Sequence, residues 1–209
     1  MLIKIMMLEK KSYHHGNLKE ALIDAARGLL DELGVEGLSL RKVAQQAGVS
    51  PTALYSHFED KRELLAHLAA RGYEQFAKSM KSELPKDKKS GKSYLMGLAR
   101  GYVYFATSEP QLFQLMFSRE LGDLNNTPEL KRASTKAYEL MAKAVKKQVK
   151  RDGSKVEVEF AIAAAWSLAH GLASLLNEER LNVKPKNAKA LKQLVNHVSL
   201  MLNFSAAEL

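Results

Sequence analysis

Apolar side chains recur every three or four positions along nearly the whole chain, and period-two alternation is almost absent. That spacing puts one apolar stripe on each successive helix and leaves no half-buried strand to pair. Leu18, Leu22, Ala25, Ala26, Leu29, Leu30 and Leu33 make the first stripe. The pattern predicts an all-α protein of about nine helices. An apolar share of 46% supplies enough side chains to bury between them.

Start and stop signals cut this pattern into elements. Asn17 can cap the first helix, with Glu20 completing a capping box, and Gly34 ends it. Ser39 caps a second helix of about two turns, which Gly48 stops. Ser50 caps a third with Pro51 at its first position, and His57 and Phe58 close it. Asp60, boxed with Glu63, restarts a helix reaching about Ser82. The PKDKKSG run at 85–91 reads as a linker. Beyond it, a helix marked by Tyr94, Leu95, Leu98, Tyr102 and Phe105 halts before Pro110. A short helix at 111–121 and a GDLNNT loop come next. A long helix then opens at Pro128 and closes at Asp152-Gly153. Helices near 156–179 and 187–204 flank a turn at Pro185.

Composition excludes several functions. The chain has no cysteine, which rules out disulfides, thiolate metal sites and a thiol nucleophile and fits a reducing cytoplasm. The apolar start MLIKIMM is broken by Lys4 and lacks a small-residue cleavage site, so residues 1–16 are expected to be a leader or arm, not a signal peptide. The stretch 160–176 is marginal in length for a membrane span, and a helix buried in a core or subunit interface accounts for it better. His14 and His15 diverge on a helix, so no metal site is expected there, and no cofactor motif is present. The net charge of +9 suggests a polyanionic partner, yet residues 1–63 hold nine basic and nine acidic residues. The whole excess lies in residues 64–209, where most lysines solvate helix faces.

The stretch VAQQAGVSPTALYSHFEDK carries the most chemistry. Two short helices joined by Gly48-Val49-Ser50 make a helix-turn-helix. Ala44 must be small where the helices cross, and Gly48 takes the left-handed turn. Val43, Ala47, Val49 and Leu54 form the seam. Pro51, Thr52, Tyr55, Ser56 and His57 are left on the outer face. In such a motif the second helix enters the major groove. Thr52 and Ser56 suit base edges, Ala53 a thymine methyl, and Tyr55, His57 and Lys61 phosphates, while the helix N-terminus also favours a phosphate. Arg41 suits a bidentate contact to guanine or to a phosphate. Two plain core helices with ordinary caps would show the same spacing.

Residues 13–65 resemble the TetR family of transcriptional regulators, most specifically in VAQQAGVSPTALYSHFEDKRELL, where Ala44, Gly48, Leu54, Tyr55, His57, Phe58 and Lys61 match the family pattern. The resemblance implies a DNA-binding domain at 17–62 and a larger ligand-binding and dimerisation domain at 63–209. It also implies that Ser39, Arg41, Thr52, Tyr55, His57 and Lys61 contact double-stranded DNA, and that a small molecule releases a homodimeric repressor from a near-palindromic operator. Ser50 and Pro51 complete the candidate interface. His14 and His15 resemble the arm that precedes the first helix in this family.

A second resemblance covers YVYFATSEPQLFQLMFS and AWSLAHGLASLL, which look like the TetR subgroup with a Trp…His-Gly signature, here Trp166, His170 and Gly171. Trp166 and His170 share a helix face. They are either ligand contacts or core groups, with Gly171 permitting close helix packing. Tyr102, Phe105, Phe113, Met116, Phe117 and Met141 suit an apolar effector pocket and equally a plain core. Helices 156–179 and 187–204 are the expected dimer interface, a four-helix bundle in which Ala161, Ala164, Ala165, Leu168, Leu172 and Leu175 supply contacts.

An enzyme is not expected. Ser56 and His57 point about 100° apart on a helix, and no phosphate loop or ligand cluster accompanies them. Lys143, Lys146, Lys147 and Lys150 share a face, as in a membrane-surface helix, but lack an opposite Trp- or Phe-rich side, so no membrane partner is expected.

Overall fold

The structure, a computed structural model, describes residues 18–86, 91–123 and 127–201, with side chains omitted at 91–93. The expected arm at 1–16, the Asn17 cap, His14, His15 and residues 202–204 of the last helix lie outside them. Among the described residues there are nine α-helices, one 3-10 turn and no strand. In chain order these are α1 (Leu18–Gly37), α2 (Leu40–Gln46), α3 (Pro51–Tyr55), α4 (Lys61–Ser82), α5 (Gly91–Ser108), α6 (Pro110–Met116), the turn Arg119–Leu121, α7 (Pro128–Arg151), α8 (Val158–Asn177) and α9 (Ala188–Ser199).

Local chemistry explains most boundaries. Ser39 Oγ accepts from Lys42 N, Ser50 Oγ from Ala53 N, and Asn187 Oδ1 from Ala190 N. Each satisfies an N–H that has no partner inside its own helix. Asp60 accepts from Glu63 N at 2.8 Å, but the Glu63 carboxylate takes the Glu59 N–H and not the Asp60 N–H. Gly34 does not end α1. It sits at φ 67° as a kink, and one further turn continues to Gly37. The segment expected as one helix at 111–121 is divided, with α6 stopping at Met116 before the 3-10 turn.

The helices share a continuous core running from Leu22 to Val195. The long helix α4 is its axis, burying eleven side chains or glycines between Leu64 and Met80, so it packs on more than one face. α1 is tied to α4 by Arg71, whose guanidinium bridges Asp24 at 2.5 Å and also Glu20. Arg27 pairs with Glu109 at the start of α6. The N-terminal helix α1 is thus fixed to the rest of the chain by both packing and ion pairs, and α2 and α3 share the same core.

Candidate nucleic-acid interface and apolar cavity

α2 and α3 form the expected helix-turn-helix. Val43, Ala44 and Leu54 are at most 1% exposed, and Ala47 and Val49 pack on them from the edge. Gly48 makes the corner at φ 71°, a conformation that strains any side chain. Phe58, also buried, closes the motif from below.

That seam leaves Arg41, Pro51, Thr52, Tyr55 and Ser56 exposed, with Tyr55 at 56%. Ser39, Ser50, Ser56 and Lys61 already hold partners. Ser39 and Ser50 are caps, and the Ser56 hydroxyl donates to Ala53 O at 2.7 Å. The Lys61 ammonium donates to Val35 O at 2.7 Å and so braces the turn after the Gly34 kink. His57 is half-buried. Lys42, not singled out in the sequence, donates to Gly37 O and anchors α2 to the same turn. Of the expected contacts, Arg41, Thr52 and Tyr55 are therefore the exposed polar side chains with no internal partner among the described residues.

A cavity of about 240 Å³ lies among α4, α5, α7 and α8. Its walls include Tyr102, Phe117, Met141 and Trp166, all read from the sequence as candidates. Phe105, Phe113 and Met116 do not line it but are buried in the core. The remaining wall residues were missed: Tyr73, Phe76 and Met80 from α4, and Ser134, Thr135, Ala137 and Tyr138 from α7. No local sequence signal sets these residues apart from their neighbours on α4 and α7.

His170 backs the cavity without lining it. Its Nδ1 lies 2.9 Å from the Tyr102 hydroxyl, and its ring is boxed by Phe113 at 5.3 Å and Phe117 at 4.7 Å between centroids. Burial lowers its pKa and favours the neutral imidazole. Burial also pushes the Tyr73 phenol up to about 12 and raises Tyr102 further, offset in part by the Trp166 indole. Tyr73 donates to Met116 O at 2.9 Å. The phenols of the inner wall are thus neutral and hydrogen-bonded within the protein.

Gly171 differs from its expected role, because a Cβ there would meet nothing within 4 Å. The α8 positions expected at a dimer interface also divide. Ala161, Ala165 and Leu172 are buried within the chain, whereas Ala164 and Leu175 are exposed and Leu168 half-exposed. No group of His, Asp and Glu that could hold a metal occurs among the described residues.

An all-helical chain with a helix-turn-helix at one end and an aromatic cavity within the helices behind it is built as a DNA-binding regulatory protein. Comparison with known proteins gives the family. Residues 22–68 match the model of bacterial regulatory proteins, tetR family, and residues 95–198 match the tetracyclin repressor-like C-terminal domain. The chain belongs to the TetR family. It is 41% identical over 81 residues to the class A tetracycline repressor of transposon 1721 from Escherichia coli, covering 39% of this chain and 36% of that one. It is 31% identical over 99 residues to the HTH-type transcriptional regulator YobS of Bacillus subtilis, covering 47% and 51%. The chain therefore spans about half or less of these relatives. A solved protein of unknown function from Rhodococcus sp. RHA1 superposes with a TM-score of 0.77 at 26% identity, over 92% of this chain and 97% of that one.

Proposed function

We propose that the protein is a cytoplasmic, homodimeric, sequence-specific DNA-binding transcriptional repressor, released from its operator by a small molecule bound in the C-terminal cavity. In this reading residues 17–62 read DNA and residues 63–209 sense the ligand and dimerise. The observation that carries it is that Arg41, Thr52 and Tyr55 stay exposed on a helix pair whose other face buries Val43, Ala44 and Leu54. Placed in a major groove, Arg41 reaches a guanine edge or a phosphate, Thr52 a base edge, and Tyr55 the backbone. Residues 1–63 have no net charge, so specificity rests on these few donors and not on a broad basic field. Footprinting of the DNA flanking the protein's own coding sequence, at several salt concentrations, tests the reading. Two protected half-sites about 34–36 Å apart are expected, weakening as salt rises. No protected site at low salt would remove it.

The dimer is assigned to α8 and α9. α8 is the one described helix long and apolar enough to cross a membrane by length and composition. Yet Phe160, Ala164, Leu168 and Leu175 form an outward stripe along it, with Phe160 66% exposed. A second copy of α8 and α9 covers this stripe in a four-helix bundle. Phe160→Glu combined with Leu175→Glu alters only exposed positions, so the fold should survive. Light scattering should then report a monomer, with operator affinity reduced at least tenfold. A dimer of unchanged mass would move the interface elsewhere.

A further inference from the structure

The cavity also constrains the chemistry of its occupant. An engineered cavity of about 150 Å³ takes up benzene, so by proportion 240 Å³ holds roughly ten carbon atoms. A long acyl chain could place only part of its length within it. Some of its rings meet edge to face, Phe76 with Tyr102 at 4.7 Å and 83° and Phe117 with Trp166 at 6.4 Å and 67°, while Tyr138 and Trp166 are tilted at 5.4 Å and 49°. A wall of this composition can pair with a further ring edge to face or offset-stacked.

The polar groups argue against a charged occupant. Tyr73 and Tyr102 are bonded within the protein, and the Ser134 hydroxyl donates to Lys131 O at 3.1 Å. No Lys, Arg, Asp or Glu lines the wall. An anion inside would lose its water with no cationic partner, and a cation would find no carboxylate. Aromatic faces attract cations, but residues 64–209 carry 23 basic against 14 acidic residues, so the field of this part of the chain opposes a cation. Thr135, exposed at the rim, is the wall group best placed to meet a polar substituent.

We propose that this site takes an uncharged one- or two-ring aromatic compound, its body among Phe76, Phe117 and Trp166 and its polar substituent at the mouth beside Thr135. The proposal rests on the ligand-released reading above and narrows it to a ligand class. Calorimetry on the full chain would compare 2-naphthol, its trimethylammonium counterpart and stearoyl-CoA. 2-Naphthol should bind at micromolar concentration, at least tenfold tighter than either of the others. Trp166 is the only tryptophan in the chain, so its emission should change along the same isotherm. Thr135→Phe at the exposed rim and Ala137→Leu in the wall should each weaken 2-naphthol at least tenfold. Equal or tighter binding of the cation or of stearoyl-CoA overturns the proposal. So does the absence of 2-naphthol binding, or an affinity unchanged in both variants. Protein that footprints its operator but ignores 2-naphthol fails this proposal alone. Protein that footprints nothing fails the regulator reading, whatever the calorimetry shows.

Discussion

Arg41→Ala and Tyr55→Ala should each abolish tight operator binding and leave fold and dimer unchanged. Neither side chain holds the structure together. Both are exposed, and neither makes a hydrogen bond or ion pair within the chain among the described residues. A well-placed bidentate contact contributes about 1–3 kcal/mol. A homodimer uses each residue twice, so the loss for Arg41→Ala is about 2–6 kcal/mol, or roughly 30-fold to above 10⁴-fold in affinity. Arg132→Ala, which removes an equally exposed cation from α7, should change binding by less than a factor of about three. Gel shifts with operator DNA decide the matter, and wild-type affinity in both helix-turn-helix variants would remove these residues from the interface. Lys61→Ala is a poorer test. Its ammonium braces Val35 O at 2.7 Å, so weaker binding could come from a loosened turn.

The N-terminal motif was legible in the sequence because its determinants are local. A serine cap, a proline at the first helical position and a glycine at positive φ each act within four residues. The structure shows each where the spacing put it. The same holds for α7, whose Pro128 start and Arg151 end were both readable. Gly34 was misread because a glycine at positive φ marks a change of direction. Whether helix resumes beyond it depends on the tertiary contacts of the next turn, and here Lys61 from another helix secures that turn through Val35.

The cavity was legible only in part, for a different reason. Which apolar side chains border a void depends on how helices distant in sequence meet. Phe105 and Phe113 carry the same local pattern as Tyr102 and Phe117, yet they turn into the core. α4 is buried on several sides, so nothing in its own sequence marks Tyr73, Phe76 and Met80 as the residues left beside open space. The division of α8 into an inward face at Ala161, Ala165 and Leu172 and an outward face at Phe160, Ala164 and Leu175 was equally hidden, because both faces are apolar.

Gly101→Ala should destabilise the protein severely, whereas Gly28→Ala should stabilise it. Both glycines lie inside helices, where alanine is intrinsically better by roughly 0.8–1.0 kcal/mol. A Cβ at Gly28 meets nothing within 4 Å, so that gain should appear nearly in full. A Cβ at Gly101 would sit 2.3 Å from Ser79 O and 2.4 Å from Met80 Cα, and one at Gly97 would sit 2.6 Å from Glu83 O. These are backbone atoms of α4 and the residue that caps it, and no rotamer change can clear them. α5 crosses α4 backbone to backbone here, and Ser79 Oγ donates to Gly101 O at 2.8 Å across the contact. To admit one methyl group the helices must separate by about 1 Å, which loosens the core on both sides and breaks that hydrogen bond. Overpacking of this kind costs about 1–3 kcal/mol, and more where backbone must move, so a loss of at least ~3 kcal/mol is expected. For a chain of this size that is roughly 6–12 °C in Tm. Thermal melts of the two variants should therefore move in opposite directions. Equal shifts would mean that α4 and α5 do not approach this closely. The consequence reaches function, because α4 starts beside the helix-turn-helix and ends at this crossing, with Tyr73, Phe76 and Met80 of the cavity wall between. A Gly101→Ala protein that still folds should bind 2-naphthol more weakly than wild type even though Gly101 does not line the cavity.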